Sequence, residues 1–493
     1  MRDLLKDPLW QSEDLGKPIP DSEHAVSVAL PLWEHVVGYE EKVPKVLDAM
    51  WCGYPRFVIH PYVADLNTVC EHQFAKPGER SVCFPTRRAA ERCLAYVNAR
   101  GGNGGRIDAL VKENIFAITL AAEDFDTAST YKRYSGEIVS SRMAQAALEG
   151  KGVDPEGARA KAAVISRLAD LTGQQDRDVL LFPSGMAATT FVLQLVQSVS
   201  PDHKTVQLGF PYVDVLKVQN ELGAGAQFFS DQQAEDLGVL DQLLREEKIA
   251  AVFTEFPNNT LMRCVDMNAL SNILGKHKVP LIVDDTIGGV YNVDAFQYAD
   301  AVTTSLTKYM GGQGDVMAGS VVLNANSLFY RQFVDFCDRE YEDCLWSGDA
   351  VALEENSRDY PQRKERINST AEVVFEYLIA HPKMEQVYYP KNQTTAHYQQ
   401  LLRRGNGYGG LMSILLKDAP KTSPTFYDAL QVSKGPTLGT NYTLACPYTL
   451  LAHYDELAWA ESCGISRYLI RISIGLEDPD DLIQRFESAF SLI

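Results

Sequence analysis

Between residues 160 and 325 the chain alternates short apolar runs with amphipathic stretches, and no other feature restricts its fold as much. The runs DVLLFP, KTVQLGFP, IAAVFTEFP, VPLIVDDT, DAVTTSL and AGSVVLN are too short for helices, rich in β-branched residues, and bounded by Gly, Pro, Asn and Asp. They are apolar along their length, as strands must be when helices cover a sheet from both sides. The stretches GMAATTFVLQLVQSV and DMNALSNILGKHK carry helical spacing instead. Strand and helix in alternation predict an α/β domain built on a large, mostly parallel sheet. Ligands of such sheets gather beyond the carboxyl ends of the strands. The polar side chains singled out below fall there.

The remainder divides around this domain. Residues 1–125 read as an N-terminal arm, with GYPRFVIHPYV ahead of a helix-like PTRRAAERCLAYVNAR, and residues 126–330 hold the large domain. Residues 331–375 read as a helical connection. Residues 376–493 read as a small α+β domain with strands at GGLMSILL and YLIRISIGL and a closing helix at DPDDLIQRFESAFSLI. The loop GGNGGR lacks both the G-x-G-x-x-G spacing and a following Lys-Ser/Thr, and reads as a surface turn.

With 46 Lys and Arg against 65 Asp and Glu, the formal charge of −19 excludes the basic surface that nucleic acid requires. Nine cysteines without a C-x-x-C pair suit a reducing compartment, and no metal-ligand set is expected. No run approaches the roughly 18 apolar residues of a membrane span. The N-terminal MRDLLKDPLWQSEDLGK lacks an apolar signal core. The expected location is the cytoplasm.

The stretch TTSLTKYMGG, residues 303–312, offers Ser305 or Lys308 as the reactive group. Read as S-x-x-K it would be an acylase motif with serine opening a helix, but strand-like residues precede Ser305 and two glycines follow Lys308 closely. Neither S-D-N nor K-T-G occurs in the chain. A purely structural lysine remains the plain alternative. Asp284 and Asp285, at the end of VPLIVDDT, can reach the same sheet edge as Lys308. That combination suits a pyridoxal phosphate site, with Lys308 as Schiff-base partner and Asp284 as the acid that keeps the pyridine nitrogen protonated. LLFPSGMAATTF supplies a strand, a tight turn and a helix whose first amides belong to Gly185 and Met186, a ready anion cradle. Tyr212, at another strand end, could stack on a ring or belong to the core. Asn259 could bind a ligand or merely close a turn. In YLIRISIGL, Arg471 shares a strand face with Leu469 and Ser473, opposite three isoleucines.

At this point the sequence resembles the pyridoxal-phosphate enzymes of cysteine and methionine metabolism, the trans-sulfuration family. The matching pieces are YKRY (131–134), SGMAA (184–188), PY (211–212), EFPNN (255–259), VDDT (283–286), SLTKYMGGQGDVMAG (305–319), TLGT (437–440) and IRISIGLED (470–478). The long arm looks like the fungal cystathionine γ-synthase-like branch. The resemblance implies the type I, aminotransferase-like fold of pyridoxal-phosphate transferases. It implies Lys308 as cofactor carrier and proton shuttle, Asp284 on the pyridine nitrogen, and Tyr212 on the ring. Gly185, Met186, Ser305 and Thr307 would hold the phosphate, with Tyr131 and Arg133 donated by a neighbouring subunit. Arg471 would clamp the substrate α-carboxylate, with Asn259 and Thr437 beside it. Two departures stand out: SGEI replaces the family's Asn-Pro-Thr after Arg133, and VDV replaces Gly-Gly-Thr after Tyr212.

The activity so implied is γ-replacement on an O-acyl-L-homoserine, O-acetyl-L-homoserine foremost, through a vinylglycine-type intermediate. The second substrate would be L-cysteine, or a carbon or nitrogen nucleophile of specialised amino-acid or alkaloid biosynthesis. A γ-lyase releasing a 2-oxo acid and ammonia is the alternative. The assembly implied is a homodimer or homotetramer with shared active sites.

Overall fold

The computed structural model describes residues 2–110 and 114–493. An N-terminal unit carries a three-stranded antiparallel sheet of β1 (Glu79–Phe84), β2 (Arg106–Leu110) and β3 (Ile115–Ala121), with β3 in the middle. Helices Pro61–Phe74, Arg87–Ala99 and Phe125–Ser135 pack on it, and Val82, Phe84, Ala90, Cys93 and Ile118 close its core. The segment expected as an arm is thus largely a folded unit. GGNGGR lies in it as the connection into β2.

The large domain holds seven strands, β4 (Val179–Phe182), β5 (Thr205–Leu208), β6 (Ala226–Phe229), β7 (Val252–Glu255), β8 (Leu281–Asp284), β9 (Ala301–Thr304) and β10 (Gly319–Leu323), in the order β4-β10-β9-β8-β7-β5-β6. The six expected strands are present. The seventh, β6, is an edge strand whose residues are half-buried or exposed, so AQFF lacks the continuous apolar signature of its neighbours. All pairings from β9 to β6 are parallel, whereas β10 runs antiparallel to both β9 and β4. The reason is local. Residues 305–318, between β9 and β10, form turns and no helix, so the chain cannot cross over and returns alongside. That same helix-free loop carries Lys308.

Helices cover both faces of the sheet. Gly185–Val199 buries Val192, Leu193, Leu195 and Val196 against one face together with Phe333 and Phe336. Each such side chain contributes about 1.5–3 kcal/mol. Met267–His277 and Ala234–Glu246 cover the other face through Leu270, Leu274, Leu237 and Leu240.

Helices Tyr330–Glu340, Ser347–Asn356 and Tyr360–Ala380 lead to the small domain. Its five strands are β11 (Met384–Tyr388), β12 (Leu411–Leu416), β13 (Ser433–Lys434), β14 (Leu444–Cys446) and β15 (Ile470–Ser473), in the order β11-β12-β15-β14-β13. Ile470, Ile472 and Ile474 enter its core beside Phe426 and Phe486. The first thirty residues bind this domain and the lysine loop: Leu9 N donates to Ser433 Oγ (3.1 Å) and Val26 N to the Gly314 carbonyl (2.9 Å). Among the described residues no helix is long and apolar enough to cross a membrane.

Candidate active site

The strand order β9-β8-β7-β5 sets four side chains in a row along one sheet edge: Lys308 beyond β9, Asp284 ending β8, Glu255 ending β7 and Tyr212 beyond β5. All four line one cavity of about 740 Å³, which Arg471 and Asn259 also line. The alternation that made the strands legible therefore also brings these groups together.

At one end lies the start of the Gly185–Val199 helix. Ser184 caps it, its Oγ accepting from Ala187 N at 3.0 Å. A Cβ on Gly185 would lie 2.8 Å from the Cβ of Ser305 and 3.1 Å from its Oγ. Glycine is what lets the serine approach the first helical turn. Gly185, Met186 and Ser305 all line the cavity and form an anion cradle at a positive helix end. Thr307 stands apart from them. Its Oγ1 accepts from Ala318 N (3.0 Å) and donates to Ala318 O (3.2 Å), which uses the hydroxyl to hold the lysine loop.

Lys308 is a half-buried cation on the cavity wall. Its Nζ lies 3.0 Å from Thr437 Oγ1 and 3.5 Å from the Tyr54 hydroxyl, and 4.5 Å from the centre of the Tyr54 ring. Burial, and next the charges of Arg471 and Arg56, hold its pKa well below the ordinary lysine value. The lowering favours the neutral amine, the form that can accept a proton. Asp284 Oδ1 accepts from Thr286 N at 2.8 Å, and burial raises its pKa. Asp285 turns away from the cavity, accepting from Thr304 Oγ1 at 2.6 Å.

Glu255 ties two loops together. Its Oε1 accepts from Tyr212 N (2.6 Å) and its Oε2 from Asn259 N (2.8 Å). Burial, then its register neighbour Asp284, push its pKa up to about 8. At the opposite wall Arg471, on β15, donates to Asn259 Oδ1 (3.1 Å) and to the Pro436 carbonyl (2.8 Å), and packs on the Tyr448 ring at 4.2 Å. These partners are neutral, so the guanidinium keeps its charge for a ligand. Tyr448 OH accepts from Asn259 Nδ2 at 3.0 Å, which fixes the amide's orientation.

One expectation needs correcting. Tyr131 is buried in the N-terminal unit, with its hydroxyl donating to Glu137 at 2.8 Å, and does not line the cavity. The apolar side of its helix Phe125–Ser135 packs inward on β1 and β3, and the ring goes with it. Arg133 does line the cavity of its own chain, paired with Asp214 at 3.1 Å. The tyrosine–arginine pair standing over the cavity is instead Tyr54 and Arg56. Arg56 NH2 donates to the Tyr212 hydroxyl (2.7 Å) and NH1 to Asp214 Oδ2 (2.8 Å). Burial opposes its charge, but Tyr212 and Asp214 outweigh that and raise its pKa. GYPRF repeats the Tyr-x-Arg of YKR, and Glu255 opens EFPNN, so both signals stood in the sequence. Tyr448 carried no such signal, and Asp214 stood out only as part of the VDV departure.

The residues present fit pyridoxal phosphate: an anion cradle, an aromatic at a strand end, a half-buried carboxylate with a raised pKa, and a lysine with a lowered one share one cavity.

The profile of the Cys/Met metabolism PLP-dependent enzyme family matches residues 155–491, and that of the fungal trans-sulfuration enzyme N-terminal domain matches residues 62–140. A cystathionine gamma-synthase of Neurospora crassa is 33% identical over 97% of this chain and 98% of its own. The cystathionine gamma-synthase-like enzyme iboG2 of Amanita muscaria is 32% identical over 98% and 97%. The crystal structure of a cystathionine gamma synthase from Xanthomonas oryzae pv. oryzae, in complex with aminoacrylate and cysteine, superposes with a TM-score of 0.60 at 23% identity, covering 68% of this chain and 87% of that one.

Proposed function

The chain belongs to the Cys/Met metabolism PLP-dependent enzymes and is a γ-substituting transferase of the cystathionine γ-synthase-like type, and from that premise we propose that it exchanges the acyloxy group of an O-acyl-L-homoserine, O-acetyl-L-homoserine foremost, for a nucleophile. The observation that carries the reading is the pairing in one cavity of Lys308, a half-buried amine 3.0 Å from Thr437 Oγ1, with Arg471, whose partners are an amide and a carbonyl. A neutral base and an available guanidinium are what an α-amino acid substrate requires at its Cα–H and its carboxylate.

Bound pyridoxal phosphate supplies an electron sink for the pair left when a bond to the substrate α-carbon breaks. Gly185, Met186, Ser305 and Arg56 would hold its phosphate, Tyr212 its ring face and Asp284 its ring nitrogen. Arg471 binds the substrate carboxylate through two parallel donors, oriented by Asn259 and the Pro436 carbonyl. Lys308 Nζ takes the proton from Cα and later returns it, with Thr437 Oγ1 fixing where the lone pair points. In the net reaction the Cγ–O bond breaks, the acid leaves as carboxylate, the nucleophile bonds to Cγ, and its proton is released. L-Cysteine fits as nucleophile, and so does a carbon or nitrogen acid. A homodimer or homotetramer is the assembly in keeping with this reading.

The test is to incubate the holoenzyme with O-acetyl-L-homoserine and a panel of thiol, enolate and amine nucleophiles, and to identify adducts by mass. An adduct carrying the four-carbon aminobutyrate unit is expected. Ammonia and 2-oxo acid formed at a rate indifferent to the nucleophile would replace this reading by the γ-lyase.

A further inference from the structure

We propose that each chain completes its own active site in cis, with Tyr54 and Arg56 held over the cavity by a buried clamp centred on Asp214, rather than borrowing a tyrosine–arginine pair from a neighbouring subunit. The inference rests on reading the cavity as the cofactor and substrate site.

The clamp is closed within one chain. Asp214 is fully buried, and both its oxygens are taken, Oδ2 by Arg56 NH1 at 2.8 Å and Oδ1 by Arg133 NH2 at 3.1 Å. Arg56 NH1 also donates to the Arg133 carbonyl at 2.6 Å, and NH2 to the Tyr212 hydroxyl at 2.7 Å. The side chains of Arg56 and Asp214 are 1% and 0% exposed, so the pair sits where an arginine from another chain would have to displace it. Such a buried ion pair holds its register, because moving either member strands a charge away from water.

Both departures from the family pattern meet in this contact. Asp214 lies in the VDV that replaces Gly-Gly-Thr and supplies the clamp's acid. Gly136 lies in the SGEI that replaces Asn-Pro-Thr. It ends the Phe125–Ser135 helix at φ 67°, and its carbonyl accepts from Ser184 Oγ at 2.8 Å. A Cβ there would lie 2.4 Å from Ser184 Oγ and 2.7 Å from Ala187 N. The N-terminal unit is thus seated directly on the anion-binding helix start of its own chain, and only glycine allows that approach. Farther out, Arg100 NH2 pairs with Glu221 Oε2 at 2.8 Å and Arg88 NH1 with Glu340 Oε2 at 3.4 Å, joining the same unit to the large domain and to the helix that follows it in the same chain.

Those outer pairs make the test. Arg100→Cys with Glu221→Cys, and separately Arg88→Cys with Glu340→Cys, are placed in a chain whose two incompletely buried cysteines, Cys344 and Cys463, are changed to Ser. A short bis-maleimide is added to the holoenzyme, and denaturing gels read the product. Cis docking gives an internally linked single chain, checked by peptide mass. A covalent dimer would overturn the proposal, and so would the absence of any link at both pairs, since the unit would then sit elsewhere. This readout needs no substrate and stands even if the γ-replacement reading fails.

The second arm co-expresses differently tagged Lys308→Ala and Arg56→Ala chains and purifies the mixed oligomer. In cis, its turnover does not exceed the sum of the two parents. In trans, one of the two sites in each mixed dimer would be intact and about half the wild-type rate would return. If Arg56→Ala does not fold, Arg56→Lys with Tyr54→Phe takes its place under the same criterion. A protein found to be monomeric and active supports cis completion directly.

Discussion

The sheet edge and the N-terminal unit both face the cavity, but they deliver side chains in different ways. Lys308, Asp284, Glu255 and Tyr212 end or follow strands that are neighbours in a buried sheet, so their spacing is set by strand pairing. Tyr54 and Arg56 lie on an irregular segment ahead of the Pro61–Phe74 helix, and Arg56 is held by one aspartate more than 150 residues away. The first arrangement is carried by a backbone ladder and withstands side-chain change. The second is carried by side chains, so the same substitution should disturb both folding and chemistry.

Lys308→Ala should show the first kind of effect at its fullest, with kcat falling by about 10³-fold, as loss of a general base commonly gives. The urea midpoint should stay put or rise, since a half-buried amine has been removed. A large stability loss would mean that Lys308 is structural. Asp214→Ala should show the second kind. It leaves Arg56 buried without its carboxylate, and a loss of about 3–5 kcal/mol in unfolding free energy is expected together with weakened turnover. Turnover lost at full stability would separate clamp from fold and break the contrast.

Arg471→Gln should raise KM for the amino-acid substrate and lower kcat/KM by about 10–100-fold, the range for losing charged hydrogen bonds. It should also move the acid limb of kcat. Lys308 must be unprotonated to accept the Cα proton, so activity falls as pH drops through its lowered pKa. Arg471 is, after burial, the first cause of that lowering, so its removal lets the pKa rise and shifts the limb to higher pH. An unmoved limb would leave burial and the charge of Arg56 as the causes. The smallest effect is expected from Ser184→Ala, which removes a helix cap worth about 1 kcal/mol and a hydrogen bond to Gly136. Its melting temperature should fall with little change in kcat.

Much of the site was legible before the fold. SLTKYMGG, VDDT, EFPNN and SGM each follow an apolar run, and each lies at the cavity in the structure. Arg471 was legible too, because the alternation in YLIRISIGL sends the isoleucines inward and the guanidinium the other way. Thr307 and Tyr131 fared differently. A hydroxyl in a phosphate-like motif gave no sign that the Ala318 main chain would take it. The Tyr-x-Arg of YKRY looked like that of GYPRF, and only helix packing turned Tyr131 inward toward Glu137. The strand β6 escaped notice because an edge strand need not be apolar on both faces.

The sequence by itself determined the order of strands and loops, and with it which reactive groups share the sheet edge, because strand periodicity and strand ends are local properties of a few consecutive residues. The tertiary structure alone decided which tyrosine–arginine pair stands over Lys308 and why Asp214 and Gly136 occupy positions where the family has other residues. Those choices depend on contacts between segments far apart in the chain, where burial of an ion pair and the room for a missing Cβ are settled only once the units are packed.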